Sequence, residues 1–435
     1  MPTPAALREF EATLDAELGP DVPSVACGIW QGGGTVFLSA KGLADREGNV
    51  AATPQTPYSL ASVTKPMTST AVMMLAERGL VDLDAPMEGA QGRAGDAREA
   101  TVRRVIDHTA GLPLHHRFYY ADEPVAPTPF PETVRRYAKT FTPPGERSVY
   151  SNLGYGLLDE LIARTSGVSY ARFMAEEVFA PLGMAHATID ASEGAAIAYG
   201  PGGLVYPRYG FDHAGGSAAY ASVEDLLAFG RFHLGHGADL LSPEGRRRMR
   251  EPGPFGYGLG WSARGRVVQH TGGMGGVRTI LRLVPDLDLV VALLANGEDD
   301  LVFRAASEAV ALFDPSLRPS TVPEAIIEPA PFGGRWRGRI ETHAGDRALE
   351  VDVERGTIRL EGAERKLDDL CTRDERLSGT FEGDLGTEDA GRRPYRVHLD
   401  LTLRDGALNG AATAIGLPGG RQGDALGYWT ELTPL

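Results

Sequence analysis

The sequence predicts an α/β layer with an inserted, loop-rich helical lobe, followed by a separate all-β unit. Three observations carry that reading. Helical spacing at residues 4–18 and 223–234 accompanies strand-like runs at 25–30, 35–40, 267–271, 279–284 and 287–295. Pro315, Pro319, Pro323, Pro329 and Pro331 then mark a linker. Beyond it the period falls to two: Val397, Leu399, Leu401 and Leu403 alternate with His398, Asp400, Thr402 and Arg404 before an Asp405-Gly406 turn. The expected boundaries are a first domain at 1–314 with its lobe at about 86–220, a linker at 315–331, and an all-β domain at 332–435.

The totals agree. A chain of 435 residues exceeds one ordinary core, and its 42% hydrophobic and 23% charged content is that of a globular protein. A net charge of −15 with no basic tract argues against nucleic acid and against an acidic membrane surface. Cys27 and Cys371 form neither a disulfide framework nor a CxxC metal site. The N-terminus has no apolar signal region and no 18-residue apolar run occurs, so a cytoplasmic protein without membrane contact is expected.

In chain order, Leu7, Phe10, Leu14 and Leu18 share one helical face, and Gly19-Pro20 ends it. Gln31-Gly32-Gly33-Gly34 joins two strands; no GK[ST] follows, so it reads as a hairpin turn and not a phosphate loop. Thr68 to Arg78 is apolar nearly all round, as a buried helix would be, and Gly79 suits its C-terminal cap.

Chemistry concentrates just before that helix, in Ser59-Leu60-Ala61-Ser62-Val63-Thr64-Lys65-Pro66. Residues at i and i+3 share a helical face, so Lys65 comes within reach of the Ser62 hydroxyl and can act as its base. Pro66 is tolerated only in a first turn, which puts Ser62 at the helix start, where partial positive charge favours an oxyanion. A bare S-x-x-K arises by chance about once or twice in a chain this long. Only Lys41, Lys65, Lys139 and Lys366 are lysines among 43 basic residues, however, and lysine, unlike arginine, can titrate when buried.

Two further stretches join it: Tyr150-Ser151-Asn152 and His270-Thr271-Gly272. With Ser62-x-x-Lys65 they stand in the order and spacing of the three motifs of the serine β-lactamase and penicillin-binding-protein superfamily. The chain resembles its class C and esterase branch, including the CubicO-type peptidases, over residues ~20 to ~310. Asp107-His108-Thr109-Ala110-Gly111-Leu112 and Leu153-Gly154-Tyr155 look like that branch too. The resemblance implies an α/β (α+β) catalytic domain, an antiparallel sheet flanked by helices with a helical lobe, ahead of the small barrel-like domain. It implies Ser62 as the acylated nucleophile, with Lys65 and Tyr150 as catalytic proton carriers. Asn152 would fix Lys65 or a substrate carbonyl. His270, Thr271 and Gly272 would edge the site, and the N–H groups of Ser62 and Gly273 would form the oxyanion hole. True β-lactamases usually carry Lys where this chain has His270, so carboxylate capture is weakened and the esterase and D-aminopeptidase relatives fit better.

Other features read as structural. His115-His116 point different ways for a metal, and His108 and His213 suit bonds within loops. Gly215-Gly216-Ser217 does not complete GxSxG. Tyr257 and Trp261 read as core, with Tyr257 near enough to the third motif to line a cleft, and Arg246-Arg247-Arg248 as a solvated helix face. The expected protein is thus a serine hydrolase acting on a small ester, amide or short peptide, without metal or cofactor, and a possible homo-oligomer. The rival readings are a penicillin-recognising sensor that acylates without turnover, and a weak β-lactamase.

Overall fold

The computed structural model describes residues 1–190, 193–317, 333–373, 375–418 and 421–435. It has the β-lactamase/transpeptidase fold, mixed helix and sheet, with a nearly closed nine-stranded barrel-like sheet toward the C-terminus. By compactness the chain divides into two units, 1–85 with 120–125 and 155–322, and 86–119 with 126–154 and 323–435. The stretch read from sequence as one lobe, 86–220, is therefore shared between them. The linker expected at 315–331 lies, beyond Leu317, outside the described residues.

The first unit is built on a seven-stranded antiparallel sheet. Its order is Ser262–Arg264, Val267–Met274, Val277–Val284, Leu289–Ala295, Ser24–Gln31, Gly34–Asp45 and Val50–Ala51. Leu289–Ala295 is buried at every residue because helices cover both faces, which explains its unbroken apolar run. One face packs under the helices Pro4–Ala16 and Leu301–Ala311, where Phe10, Leu14, Val302 and Ala306 meet Val25, Ile29, Val291 and Leu293. The helix Val223–Leu234 opens with a reciprocal cap between Ser222 and Asp225 and ends on left-handed Gly235. A small sheet of Tyr58–Ser59, Ala219–Ala221 and Thr188–Ile189 leads into the Ser62 segment. Among the helices of the described residues, none is long and apolar enough to cross a membrane.

Arg246 departs from the solvated face expected for it. It is buried, donates to the Leu241 carbonyl and lies over the Phe232 ring, while Arg247 and Arg248 face solvent.

The second unit's nine strands run in the order 363–366, 357–360, 345–352, 335–342, 425–434, 407–416, 395–404, 376–381 and 368–373. The alternation seen in the sequence is the inside–outside period: Val397, Leu399 and Leu401 are buried beside Ile340, Val351, Leu377 and Leu432. Tyr137, Ala138 and Leu153 belong to the same buried cluster. The core of the sheet is thus completed from far upstream in the chain, by the end of the helix Phe130–Tyr137 and the start of the helix Asn152–Ser166.

Candidate active site

The helix Thr64–Glu77 is preceded by a single 3-10 turn, Ala61–Val63, that carries Ser62. Pro66 is the third residue of the helix, where no backbone donor is needed. Ser62 is half-buried, whereas Lys65 has no exposed surface. The Lys65 Nζ lies 3.2 Å from Ser62 Oγ and donates to the Gly216 carbonyl at 2.8 Å. It also sits 5.3 Å above the centre of the Tyr155 ring. Burial drives its pKa well below the ordinary lysine value, so a neutral amine able to take the serine proton is accessible.

The turn is held from several directions. The Leu60 N–H donates to Ala219 O at 2.8 Å, and Thr279 Oγ1 donates to Leu60 O at the same distance. Thr64 Oγ1 donates to Ala61 O at 2.7 Å and accepts from the Ala219 N–H at 3.1 Å. These bonds keep Ala61 at φ 47°, a left-handed conformation that costs an L-residue roughly 1 kcal/mol or more. Strain held immediately before a hydroxyl fits a residue whose placement matters more than its comfort.

His270, Thr271, Gly272 and Gly273 lie on the strand Val267–Met274, against which that turn packs. The neighbouring strand Ser262–Arg264 pairs with it only as far as Gln269. His270 and Gly272 face inward; Thr271 and Gly273 are exposed. A Cβ on Gly272 would stand 2.2 Å from Thr279 Oγ1 and 2.3 Å from Leu60 O. The glycine therefore admits the backbone that bears Ser62. His270 is buried; its Nδ1 donates to Thr271 O at 2.8 Å, so its Nε2 accepts from the Tyr257 hydroxyl at 2.7 Å. Burial first, then the neighbouring Lys65 charge, lower its pKa from 6.5 to about 3.

That neutrality has a measurable consequence. Below pH 6.5 the unfolded chain takes up a proton at His270 that the folded chain refuses, so stability falls with acidification down to about pH 3. At about 1.4 kcal/mol per pH unit, the step from pH 7 to pH 5 costs about 2 kcal/mol. Urea unfolding of His270→Gln should show a pH 7-to-5 loss smaller by that amount; an unchanged loss would contradict the assignment.

Tyr150 and Asn152 belong to the second unit. Tyr150 is 37% exposed, with its ring 4.4 Å from the His108 ring. His108 Nδ1 accepts from the Ser151 N–H at 3.2 Å, and the Val149 N–H donates to His108 O at 2.7 Å. Ser151 Oγ accepts the Gly154 N–H and donates to Pro113 O, capping the helix Asn152–Ser166 at whose first residue Asn152 lies buried. Gly111 keeps this loop pair closed: at φ 76°, its Cβ would meet Thr142 O at 1.9 Å. Residues 107–113 thus form the bed on which Tyr150 is presented.

Sequence reasoning missed Thr279, Ala61 and Tyr155. The first two carry no sequence signal, because their roles depend on contacts across the fold. Tyr155, three residues after Asn152 and so on its helix face, was the one the spacing could have marked. His213 is bonded within its loop, to Asp212 Oδ1 at 2.8 Å. Trp261 is wholly buried core.

The family model described as Beta-lactamase matches residues 8–313. Penicillin-binding protein 4* of Bacillus subtilis (strain 168) is 26% identical over 298 residues, 57% of this chain and 62% of that protein. The chain thus spans about three-fifths of that relative's length. A D-aminopeptidase of Brucella ovis is 27% identical over 445 residues, covering 89% of this chain and 83% of the relative. Among solved structures, the octameric penicillin-binding protein homologue from Pyrococcus abyssi superposes with a TM-score of 0.62 at 22% identity, over 99% of both chains. The chain belongs to the beta-lactamase family, whose members are serine hydrolases.

Proposed function

We propose that the chain hydrolyses small esters and amides, D-aminoacyl amides among them, through an acyl-enzyme on Ser62. The observation that carries this reading is the buried Lys65 amine, lowered in basicity and 3.2 Å from Ser62 Oγ. Lys65, with Tyr150 as partner by residue chemistry, takes the Ser62 proton as Oγ attacks the carbonyl carbon. The oxyanion is assigned to the N–H groups of Ser62 and Gly273. Tyr150 passes the proton to the leaving alcohol or amine, giving the ester R–CO–O–Ser62. Water then adds along the reverse proton path, releasing the acid and restoring the hydroxyl. Asn152 is assigned to orient Lys65 or the substrate carbonyl, and Thr271 and Gly272 to the site's edge.

Substrate preference follows from His270. A neutral imidazole engaged by Tyr257 offers no fixed cation for a carboxylate, so substrates lacking one beside the scissile bond are favoured over penicillins. The D-aminopeptidase relative supports an amide with a D-residue. The test is a panel of D- and L-aminoacyl amides, p-nitrophenyl esters and a penicillin, run with wild type and Ser62→Ala. Turnover of esters and D-amides that vanishes in the variant is expected. Turnover that survives in Ser62→Ala would overturn the reading, and a stable adduct without product would convert it to a sensor.

A further inference from the structure

Lys65 is gripped by a carbonyl from the turn Ala214–Gly216, and that turn is itself held by an acid. Asp159 Oδ2 accepts from the Ala214 N–H at 2.8 Å and from the Gly215 N–H at 2.7 Å. With Ala214 so anchored, its carbonyl accepts from the Ser217 and Ala218 N–H groups at 3.1 and 3.0 Å, which closes the turn, and the next two carbonyls reach the helix of Lys65. Gly215 O accepts from Thr68 Oγ1 at 2.7 Å, and Gly216 O accepts from Lys65 Nζ at 2.8 Å. Thr68 also bonds the Tyr170 hydroxyl at 2.7 Å. The turn has no slack: a Cβ at Gly215 would stand 2.4 Å from Tyr155 O and 3.0 Å from Asp159 Cβ.

We propose that Asp159 is a positioning residue for the acylation step, holding the 214–216 turn so that its carbonyls aim Lys65 at Ser62. This rests on the reading that Ser62 and Lys65 carry the acylation. One carboxylate oxygen orders the peptide units 213–214 and 214–215, and the lysine that must meet Ser62 Oγ takes its direction from Gly216 O, two units further along the same turn. A misdirected Nζ leaves substrate binding alone and slows proton removal.

The electrical setting supports this. Burial raises the Asp159 pKa to about 6, opposed by the His213 charge and the two N–H bonds, with Glu160 on its own helix adding to the rise. His213 is itself paired with Asp212, and Tyr170 faces Asp159 from the adjoining helix. With its pKa raised from 3.8 to about 6 on folding, the carboxylate costs stability progressively as pH rises between those two values, so its charge does not serve fold stability.

Asp159→Asn and Asp159→Ala, made in the full chain, test the proposal on a p-nitrophenyl ester, with thermal unfolding recorded alongside. The Asn side chain keeps one oxygen able to accept both N–H groups. The expected result is a kcat at least tenfold lower in Asp159→Ala with KM within twofold of wild type, and a kcat within about threefold in Asp159→Asn; the asparagine variant melts at or above wild type and the alanine variant, whose two N–H groups lose this acceptor, melts lower. The ratio of Asp159→Asn to wild-type kcat should rise as pH drops through about 6, because the amide cannot be protonated there. A folded Asp159→Ala with wild-type kcat would overturn the proposal, as would a loss confined to KM or to the melting temperature. Should Asp159→Ala fail to fold, a flat kcat ratio for Asp159→Asn overturns it. Loss of turnover in Ser62→Ala beside unaffected Asp159 variants would refute this inference alone, leaving the acyl-enzyme reading standing.

Discussion

Lys65→Arg is expected to lower kcat/KM for any turned-over ester by roughly a thousandfold, the middle of the range for losing a general base. A guanidinium holds its proton at any working pH, whereas the buried Lys65 amine has its pKa driven down by desolvation. Size adds to chemistry. Nζ fits between Ser62 Oγ, Gly216 O and the Tyr155 ring, and a planar five-donor fork does not satisfy the same three directions. The loss should appear in kcat and equally in the rate of fluorophosphonate labelling, with KM little changed. An arginine variant within tenfold of wild type, melting normally, would show that Lys65 does not act as the base.

The second large effect concerns Gly272. A methyl group there would overlap Thr279 Oγ1 and Leu60 O, at 2.2 and 2.3 Å. One of these is backbone and both belong to the network that holds the Ser62 turn, so neither moves without the turn. Gly272→Ala is therefore expected to destabilise the fold by about 2–3 kcal/mol and to cut activity by about a hundredfold or more, because a shift near 1 Å at the nucleophile is enough. Gly273→Ala supplies the contrast. Its nearest neighbour, Arg278 Nη1, stands at 3.5 Å, an ordinary contact, so its stability should change by no more than about 0.5 kcal/mol. Urea unfolding of both variants checks the pair; equal destabilisation would mean that crowding against Leu60 is not what Gly272 relieves.

What was legible in the sequence was whatever repeats or lies close along the chain. The strand and helix periods, the Ser62–Lys65 spacing and the Pro66 position need only local geometry, and each appears in the structure at nearly the expected residues. The four lysines among 43 basic residues singled out Lys65 before its burial was known. Contacts made across long separations left no such trace. The bond from Thr279 to Leu60 joins residues 219 apart, and nothing near Thr279 distinguishes it from any buried strand threonine. The left-handed Ala61 is invisible for the same reason: its conformation is imposed by Thr64, Ala219 and Thr279 together. Similarly, Gly215-Gly216 reads in the sequence only as an incomplete nucleophile elbow, although it supplies the carbonyl that Lys65 Nζ bonds. In the second unit the alternating strands were plain, while the share of Tyr137, Ala138 and Leu153 in their core was not. Arg246, one of three consecutive arginines, was misplaced because a charge run conceals the member that turns inward over an aromatic ring.

The central claim is that Ser62 is the residue acylated. Intact-mass and peptide-mapping spectrometry after a brief exposure to a fluorophosphonate probe tests it most directly. The account predicts one adduct, on the peptide containing Ser62, absent from Ser62→Ala and slowed by Lys65→Arg. An adduct on another residue, or undiminished labelling of Ser62→Ala, would contradict it.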